Sequence, residues 1–446
     1  MEKIEEILAR AGDLAWGPPM LALLLLTHVF LTLRLRFIQK YIGQAIRLSF
    51  SRKREGTGEI SHFGALATAL AATVGTGNIV GVATAVAAGG PGAVLWMWLT
   101  GVFGIATKYS EAVLAVKFRV VKENGSIAGG PMYVLERGLR CRWLGILFAL
   151  FTSITALGIG NMIQANAIST LAANTFELKP WITGIILTTL TAVVILGGIK
   201  SIARVCESLV PFMVLAYVIG CLVLIGMGID TLPQTLSLIV TSAFSGQAAV
   251  GGFMGATLKQ TIRYGVARGL FSNESGLGSA PIVAAAAQSK NPVRQALVSA
   301  TGTFWDTVVV CALTGIVLVN SGEWMKGAGG DVLTKTAFSD WPVIGPLILT
   351  VGLFTFVFST ILGWSYYGEK AVEYLFGGQA IKPYRYLWVA AVMGGSVAQM
   401  KVLWDIADIC NALMAFPNLI SLIFLSPIVV AETKKYLWSG ELEKEE

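Results

Sequence analysis

The chain has 446 residues, of which 55% are hydrophobic and only 13% are charged, and its mean hydropathy is +0.70. Such a composition cannot cover a water-soluble surface, so we expect an integral membrane protein of the all-α class. The net charge of +7 comes mostly from Lys and Arg beside apolar segments, as in cytoplasmic anchoring, and gives no reason to expect nucleic acid as a partner.

About eleven segments reach the roughly 20 apolar residues that a membrane-spanning helix needs. The first, Trp16–Leu33, follows acidic residues rather than the basic lead of a signal peptide, so we expect it to be retained. The other predicted spans are 62–88, 92–117, 143–171, 181–198, 203–228, 262–289, 293–319, 343–366, 384–400 and 404–431.

Lys and Arg are concentrated in the loops after the first, third, fifth, seventh and ninth spans, for example from Arg34 to Arg54 and from Lys117 to Arg142. Cytoplasmic loops carry this excess. We therefore predict a multi-pass protein of the cell membrane (plasma or inner), with its amino terminus outside and its carboxyl terminus in the cytoplasm.

The second predicted span is interrupted at its middle by Gly75-Thr76-Gly77-Asn78. One interpretation is close helix packing, because small residues let two backbones touch. The other is an unwound helix. Unpaired backbone groups in hydrocarbon cost several kcal/mol each, so an unwound stretch at that depth persists where it holds a solute or an ion.

The spans after the first form two sets of about five, and an odd number places the sets in opposite orientations, as in inverted repeats. The leading span of the second set is also interrupted, at Phe271–Pro281. Two breaks at corresponding places favour the unwound-helix interpretation. We expect an extra span and basic cytoplasmic loop at 1–60, followed by a first repeat at 61–228. An extracellular amphipathic connection at 229–261 then leads to a second repeat at 262–431 and a cytoplasmic tail at 432–446.

Three stretches are not predicted to span the membrane. Residues 127–139 indicate a short surface helix on the cytoplasmic side. Residues 231–257 indicate amphipathic helices over an outer vestibule, because apolar residues recur at helical spacing. Residues 320–341 indicate an outer loop.

Charges within spans are functional candidates by default. Lys108 and Glu111 lie on one helix face and are interpreted as gate or packing residues. Glu274 falls inside the second break, where it either binds a cation or caps freed N–H groups, and capping is favoured. The remaining charges form two sets: Glu207, Asp306, Asp405 and Asp408 are assigned to span ends with a structural role, and Lys259, Arg263 and Arg268 to the outer vestibule or its rim.

Uncharged polar residues gather in two other spans, with Gly160, Asn161, Gln164 and Asn166 in the fourth and Phe356, Ser359, Thr360, Trp364 and Ser365 in the ninth. A hydroxyl pair on an apolar helix can simply bond to its own turn. Opposite a broken helix it can instead join neutral carbonyl oxygens around a hard cation. The missing carboxylate there favours sodium over a proton as the coupling ion.

An enzyme is not expected, because the chain has only two histidines and shows no nucleotide loop, metal cluster or nucleophile with a base partner. A channel is a more distant alternative, since paired broken helices are typical of alternating-access carriers.

The motifs that make the chain recognisable are Ala72–Gly81, Gly89–Ala93, Gly129–Tyr133, Asn273–Pro281 and Gly363–Lys370. Over nearly its whole length the chain resembles the alanine or glycine:cation symporter family. The resemblance implies the five-plus-five inverted-repeat fold of the bacterial leucine transporter, with discontinuous first and sixth core helices and one extra amino-terminal span. It also implies sodium-coupled uptake of alanine and glycine.

In that fold the unwound part of the first core helix corresponds to Gly75–Asn78. The resemblance then implies a sodium ion as the coupled solute. Its expected ligands are the carbonyls of Ala71, Val74 and Phe356 and the hydroxyls of Ser359 and Thr360.

The substrate is expected at the same break, with its carboxylate on the N–H groups of Thr76, Gly77 and Asn78. Its ammonium should face carbonyls at Thr73 and Phe271–Ser272, with Gln164 as a further polar contact. Trp364 and Phe271 should close the side-chain pocket, so that glycine and alanine are preferred over leucine. The full expected set is Thr73, Gly75, Thr76, Gly77, Asn78, Gln164, Phe271, Ser272 and Trp364.

The sequence therefore predicts sodium-coupled symport of small neutral amino acids into the cell, by a carrier that works as a monomer in the lipid bilayer. A proton-coupled amino-acid carrier of the same fold is the alternative.

Overall fold

The computed structural model describes residues 2–50, 56–123, 125–245, 256–339, 343–398 and 401–443. Most of them lie in helices, which confirms the predicted helical class. Six helical stretches of these residues are long and apolar enough to cross a membrane, or seven if the bent pair His62–Thr73 and Thr76–Gly89 forms one span. The predicted total of about eleven spans stays a prediction.

The described residues of the amino-terminal half form eleven α-helices and one small antiparallel hairpin. The helices are α1 Glu2–Ala15, α2 Pro18–Arg34, α3 Ile42–Ser49, α4 His62–Thr73, α5 Val80–Gly89, α6 Ala93–Lys117, α7 Pro131–Tyr133, α8 Arg142–Leu157, α9 Ile163–Phe176, α10 Pro180–Ile195 and α11 Gly198–Met227. The hairpin pairs β1 Val120–Val121 with β2 Ile127–Ala128.

The carboxyl-terminal half continues the helical pattern over its described residues. Its helices are α12 Leu232–Ser245, α13 Leu258–Asn273, α14 Pro281–Ala284, α15 Pro292–Thr303, α16 Ala312–Asn320, α17 Gly330–Ser339, α18 Ile344–Phe376, α19 Ile381–Val397, α20 Lys401–Phe424 and α21 Ser426–Thr433.

Two wide π-helical turns interrupt long helices close to the interior of the bundle. Gly158–Met162 joins α8 to α9, and Phe304–Cys311 joins α15 to α16. Such turns are rare and are often found at functional sites, because they redirect side chains without ending the helix.

Local signals set the ends of the two broken helices. The Ser61 hydroxyl accepts a hydrogen bond from the Gly64 N–H at 2.8 Å and caps α4. Thr257 and Gln260 form a reciprocal capping box at the start of α13. At the far end of α5, Gly90 takes φ of 73°, which suits glycine and ends the helix.

The broken helices lie at the centre of the bundle. Helix α4 packs against α11, α15 and α18, while α13 packs against α5 and α6. Helix α20 packs against α8, and the amino-terminal α1 packs against α20. The two breaks therefore face each other, with α8, α9, α18 and α20 completing the surroundings.

Two sequence predictions for connecting segments are wrong in detail. Residues 127–135 are buried rather than on the surface, because the α7 segment packs against α8 and α6. The predicted outer loop 320–341 contains α17, which packs on α5 and α18. In the second break the inner helix α14 is only 4 residues long, and a less regular backbone follows it.

Parts of several sequence predictions lie outside the described residues. These are the basic residues Arg52, Lys53 and Arg54, part of the 231–257 connection, and short stretches of the 320–341 loop, the 384–400 span and the carboxyl-terminal tail.

Candidate substrate and ion site

The first break is a short unwound stretch between α4 and α5, whose axes differ by 65°. Gly75 is extended, and Thr76–Asn78 forms one 3₁₀ turn. Within this turn the Asn78 N–H donates to the Gly75 carbonyl at 3.2 Å. Thr76 and Gly77 begin the turn, and the first N–H groups of such a turn have no acceptor within it. The break thus presents two backbone donors.

A small cavity of about 20 Å³ lies beside these donors. Seven of the residues predicted to bind substrate line it: Thr73, Gly75, Thr76, Gly77, Gln164, Phe271 and Trp364. Ala72, Ile159, Glu274, Thr360 and Asn411 complete the lining. The structure thus brings together segments that are more than 300 residues apart in the chain.

The remaining two predicted residues, Asn78 and Ser272, do not line this cavity. The Asn78 Nδ2 donates to Asp306 Oδ1 at 2.7 Å, and its Oδ1 accepts from the Gly75 N–H at 2.9 Å. The Ser272 hydroxyl donates to Asp306 Oδ2 at 3.0 Å. Both side chains therefore turn toward a buried carboxylate, which fixes the backbone of each break instead of contacting the cavity.

The position of Asp306 corrects the sequence analysis, which assigned it to a span end. It lies in the middle of the helical stretch Pro292–Asn320, within the π-helical turn, and is fully buried. Its carboxylate joins the first break to the second through Asn78 and Ser272. Nothing in the local sequence around Asp306 indicates this long-range contact.

The five predicted sodium ligands form one cluster of oxygens. The Ser359 Oγ lies 3.2 Å from the Ala71 carbonyl oxygen, and the Thr360 Oγ1 lies 3.5 Å from that of Val74. The Phe356 carbonyl accepts from both hydroxyls, at 2.8 and 2.9 Å. The contacts with Phe356 are the ordinary ones within a helix, whereas those with α4 join the hydroxyls to the break.

This oxygen cluster directly adjoins the cavity. Thr360 belongs to both, and a Cβ atom placed on Gly75 would lie only 2.8 Å from its Oγ1. Neutral hydroxyl and carbonyl oxygens are the ligands that a hard cation prefers. The arrangement can hold a monovalent cation close to the N–H groups of Thr76 and Gly77, because only Gly75 separates Val74 from Thr76 in the chain.

The second break has a different internal arrangement. The Glu111 Oε1 on α6 accepts from the Gly276 N–H at 3.0 Å, the Gly278 N–H at 3.1 Å and the Asn418 Nδ2 at 2.7 Å. The freed N–H groups are therefore capped by Glu111 rather than by Glu274. The Glu274 carboxylate accepts from the Ser279 hydroxyl at 2.5 Å and also lines the cavity.

Two amide oxygens beside the cavity have no hydrogen-bond partner within the described part of the chain. They are the Gln164 Oε1 and the Asn411 Oδ1, both buried. Buried acceptors without a donor are uncommon, and together with Glu274 they give this side of the cavity an excess of acceptors. The sequence analysis did not predict that Asn411 and Glu274 line the cavity. An Asn within a predicted span is nevertheless a sequence signal for a functional position.

The Trp364 ring is held from two sides. It is 1% exposed and packs edge-on against Tyr367, with ring centroids 5.4 Å apart. Gly160, in the π-helical turn, leaves room for it, because a Cβ atom there would lie 2.4 Å from the Trp364 Cβ. This close approach fixes the size of the cavity.

The side of the site predicted to face the cytoplasm is closed by hydrogen bonds. The Arg119 guanidinium donates to the carbonyls of Ala285 and Ala287 and to both the carbonyl and the hydroxyl of Thr57, all within 3.0 Å. The Glu59 N–H donates to the Ala286 carbonyl at 2.8 Å. The segments next to the two breaks are thereby joined.

Comparison with known proteins shows the family to which the chain belongs. The sequence profile of the sodium:alanine symporter family matches residues 1–446. The chain belongs to that family. It is 50% identical over 446 residues to the sodium/alanine symporter AgcS of Methanococcus maripaludis, covering 98% of this chain and 97% of the relative.

The name of a second relative includes the proton as well as sodium. The putative sodium/proton-dependent alanine carrier protein YrbD of Bacillus subtilis is 34% identical over 451 residues, covering 97% of this chain and 92% of the relative. Membership of the sodium:alanine symporter family makes the chain a membrane transporter, which confirms that it is not an enzyme.

The fold is similar to that of a solved transporter. The crystal structure of MhsT in complex with L-phenylalanine aligns with a TM-score of 0.55 at 14% identity, covering 84% of this chain and 98% of that one. This likeness confirms the leucine-transporter type of fold. The inverted repeat and its boundaries stay predictions.

Proposed function

We propose that this symporter moves alanine or glycine into the cell together with sodium, by alternating access to the cavity at the first break. The proposal depends on one observation: the oxygen cluster lies directly beside the cavity, and Thr360 belongs to both. A cation in the cluster would lie beside the bound amino acid, so each solute would favour binding of the other.

The amino acid is proposed to bind with its carboxylate on the N–H groups of Thr76 and Gly77. Unpaired amides at a helix break are natural donors to an anion. Its ammonium would then face the acceptor side of the cavity, where the Gln164 Oε1 and the Asn411 Oδ1 have no partner in the described structure. The carbonyls at Thr73 and Phe271–Ser272, expected from the sequence, remain further candidates for this role.

Substrate size is proposed to be limited by Trp364 and Phe271. Both rings line the cavity, and Gly160 lets Trp364 approach closely. A tight apolar wall rejects added bulk by steric clash, whereas it distinguishes glycine from alanine only modestly, by about 1–3 kcal/mol.

Sodium coupling would draw on the ion gradient and on the membrane potential, the latter contributing about 2.3 kcal/mol per charge for each 100 mV. The side predicted to face the cytoplasm is closed by hydrogen bonds between Arg119, Thr57 and the 285–287 backbone. Release inside would require these hydrogen bonds to break, which is the movement that alternating access needs.

The direct test is uptake of labelled alanine into proteoliposomes at fixed pH, with sodium outside replaced by potassium. The proposal expects uptake to fall to the level of empty liposomes. Undiminished uptake in potassium would contradict sodium coupling. If uptake then followed an imposed pH gradient, the proton-coupled alternative, which the name given to YrbD keeps open, would replace it.

A further inference from the structure

The carboxyl end of α2, which is predicted to face the cytoplasm, lies where exposed apolar side chains give way to exposed basic ones. The helical stretch Glu6–Arg34 is long and apolar enough to cross a membrane. Within it the exposed side chains of Leu26, Phe30 and Leu33 recur at helical spacing, as they do on the lipid-facing side of a spanning helix. The residues directly after Leu33 are therefore placed at the depth of the lipid headgroups.

A turn with two left-handed residues follows α2. Arg36 has φ of 54° and Phe37 has φ of 57°. This conformation is unfavourable for large side chains, whereas Gly and Asn accept it. Both side chains are nevertheless exposed, Phe37 by 53%. A large aromatic ring in an unfavourable backbone conformation thus projects from the protein surface, and such strain is found mostly where the side chain has a function.

Exposed basic side chains gather around this turn from two distant segments of the chain. One segment is the end of α2 with the 3₁₀ turn Ile38–Tyr41 behind it, and the other is the π-helical turn Lys434–Trp438. We call their exposed cations the basic patch, which consists of Arg34, Arg36, Lys40, Lys434 and Lys435.

The two segments of the basic patch are in contact. The Arg36 guanidinium lies over the Trp438 ring, 4.7 Å from its centroid. The turn Ile38–Tyr41 and helix α21 also pack on the same helix, α6, where the Tyr109 and Thr433 hydroxyls are 2.8 Å apart. The basic patch is therefore one surface, although its members are about 400 residues apart in the chain.

Carboxylates of the protein leave the basic patch charged. Among the described residues, none forms an ion pair with any of its five members. Glu432, the acidic residue next to it, is buried and pairs with Lys117 at 3.1 Å. Arg34 and Lys40 lie over aromatic rings, and such contacts keep the charge in place. The described structure thus offers five positive charges to an anion from outside the chain.

We propose that the basic patch binds the headgroup of an anionic phospholipid in the leaflet predicted to be cytoplasmic, while the Phe37 ring enters the lipid. A phosphodiester supplies the complementary charge, and guanidinium groups suit phosphate oxygens. Basic residues directly beside a spanning helix are typical of binding to anionic lipid. An exposed ring beside the guanidinium, at headgroup depth, favours a lipid over a soluble phosphate. The inference does not depend on the proposed substrate or ion.

Bound lipid would hold a part of the protein that adjoins the second break. Helix α3 begins directly after the turn Ile38–Tyr41 and packs against α15, with the Ser49 and Thr301 hydroxyls 3.4 Å apart. Helix α15 is the helix that follows the second break. Since a ligand that binds only the folded protein stabilises it, the lipid should raise the melting temperature of the whole protein.

The test uses the purified full-length protein in detergent with added phosphatidylglycerol or phosphatidylcholine of the same acyl chains. In native mass spectrometry the protein should retain phosphatidylglycerol in a saturable manner, and its melting temperature should rise with the concentration of that lipid. Phosphatidylcholine should have neither effect, and free glycerol phosphate should not displace the bound lipid. Equal retention of the two lipids would overturn the proposal, and displacement by glycerol phosphate would assign the patch to a soluble anion instead.

Variants locate the lipid on the protein. Arg36→Asn combined with Lys434→Gln should weaken phosphatidylglycerol retention by about tenfold, as the loss of two cations facing an anionic headgroup implies. Phe37→Asn should weaken it without changing the charge. Asn suits both positions because it accepts the left-handed conformation. Lys382→Gln is the matched control, since it removes an exposed cation on the same predicted side but outside the basic patch.

Unchanged retention in both patch variants, or an equal loss in Lys382→Gln, would contradict the site. The melting temperature in phosphatidylcholine shows whether each variant is folded. If the double variant is not folded, Phe37→Asn decides, because its backbone conformation is the one that Asn accepts.

Discussion

The two broken helices of this symporter satisfy their backbone groups in different ways. In the first break, Thr76 and Gly77 present N–H groups at the start of a short turn, beside a cavity. In the second break, Glu111 from a neighbouring helix accepts the hydrogen bonds of Gly276 and Gly278. The first break is thus open to a ligand, whereas the second is closed by the protein itself.

This difference follows from the cost of unpaired polar groups away from water. A break that is capped by a side chain is complete without a ligand and can serve as a fixed joint. A break with free donors is completed only when an anion binds. The comparison implies that changes at the first break should affect binding, while changes at the second should affect stability.

The largest effect on transport is expected from Gly77→Val. A Cβ atom on Gly77 would lie 3.5 Å from Phe271 Cδ1 and 3.5 Å from Ser272 Cα, so the branched methyl groups of valine would fill the space between the breaks. Alanine uptake into proteoliposomes should be lost while the protein still inserts into the membrane. Gly226→Val is the matched control, because no atom of another described segment lies within 4 Å of a Cβ there. Normal uptake by Gly77→Val would show that the substrate lies elsewhere.

The second break is tested by Glu111→Ala. The Gly276 and Gly278 N–H groups would lose their acceptor, and the Asn418 amide would lose one of its two acceptors, since it also donates to the Gly276 carbonyl. Each buried group left unpaired costs about 1–3 kcal/mol. The melting temperature of the purified protein should fall, and the maximal uptake rate should fall with it. The sodium and alanine concentrations for half-maximal uptake should change little.

Glu111→Gln is the matched control for that experiment, because its amide oxygen can still accept from Gly276 and Gly278. It should retain most of the stability that Glu111→Ala loses. If Glu111→Ala kept its melting temperature but needed much more alanine, the second break would be a binding element and the contrast with the first would fail.

The ion side of the first break is tested by combining Ser359→Ala with Thr360→Ala. Two oxygens of the cluster disappear, and the sodium concentration for half-maximal uptake should rise by about tenfold or more, equivalent to at least about 1.4 kcal/mol. Thr355→Ala is the control, since that hydroxyl bonds within α18, to Val351 and Gly352. An unchanged sodium requirement in the double variant would mean that the hydroxyls only serve their own helix.

The smallest effect is expected at the wall of the cavity. Trp364→Ala should admit larger neutral amino acids, improving their competition with alanine by about tenfold, within the range for a change of one or two methylene groups. Gly160→Ala acts in the opposite direction, because its Cβ would push against Trp364. It should reduce alanine uptake more than glycine uptake. Wild-type selectivity in Trp364→Ala would argue against this wall.

Local sequence patterns were sufficient for the helical class, for both breaks and for the part of the oxygen cluster that lies on α18, whereas its α4 carbonyls were expected from the family resemblance. The interruptions at Gly75–Asn78 and Phe271–Pro281 stand out against apolar surroundings, and Ser359 and Thr360 share a turn with Phe356. These features depend on residues that are close in the chain, which is where pattern arguments are strongest.

Contacts between distant helices could not be predicted in the same way. Glu111 reaches the second break from α6, and Asp306 joins Asn78 to Ser272 from a π-helical turn. Their partners are more than 30 residues away along the chain, and the wide turn that directs Asp306 inward has no simple sequence pattern. The buried 127–135 segment was assigned to the surface because its glycines and nearby charges resemble those of a loop.

Alanine and sodium are proposed to bind next to each other at the first break. This adjacent binding is tested most directly by measuring sodium-dependent alanine binding to the purified protein over a range of sodium concentrations, and sodium binding over a range of alanine concentrations. Linkage requires each solute to raise the affinity for the other by the same factor. We expect one common factor that disappears when Ser359 and Thr360 are both replaced by alanine. Equal alanine affinity in sodium and in potassium would contradict adjacent binding of the two solutes.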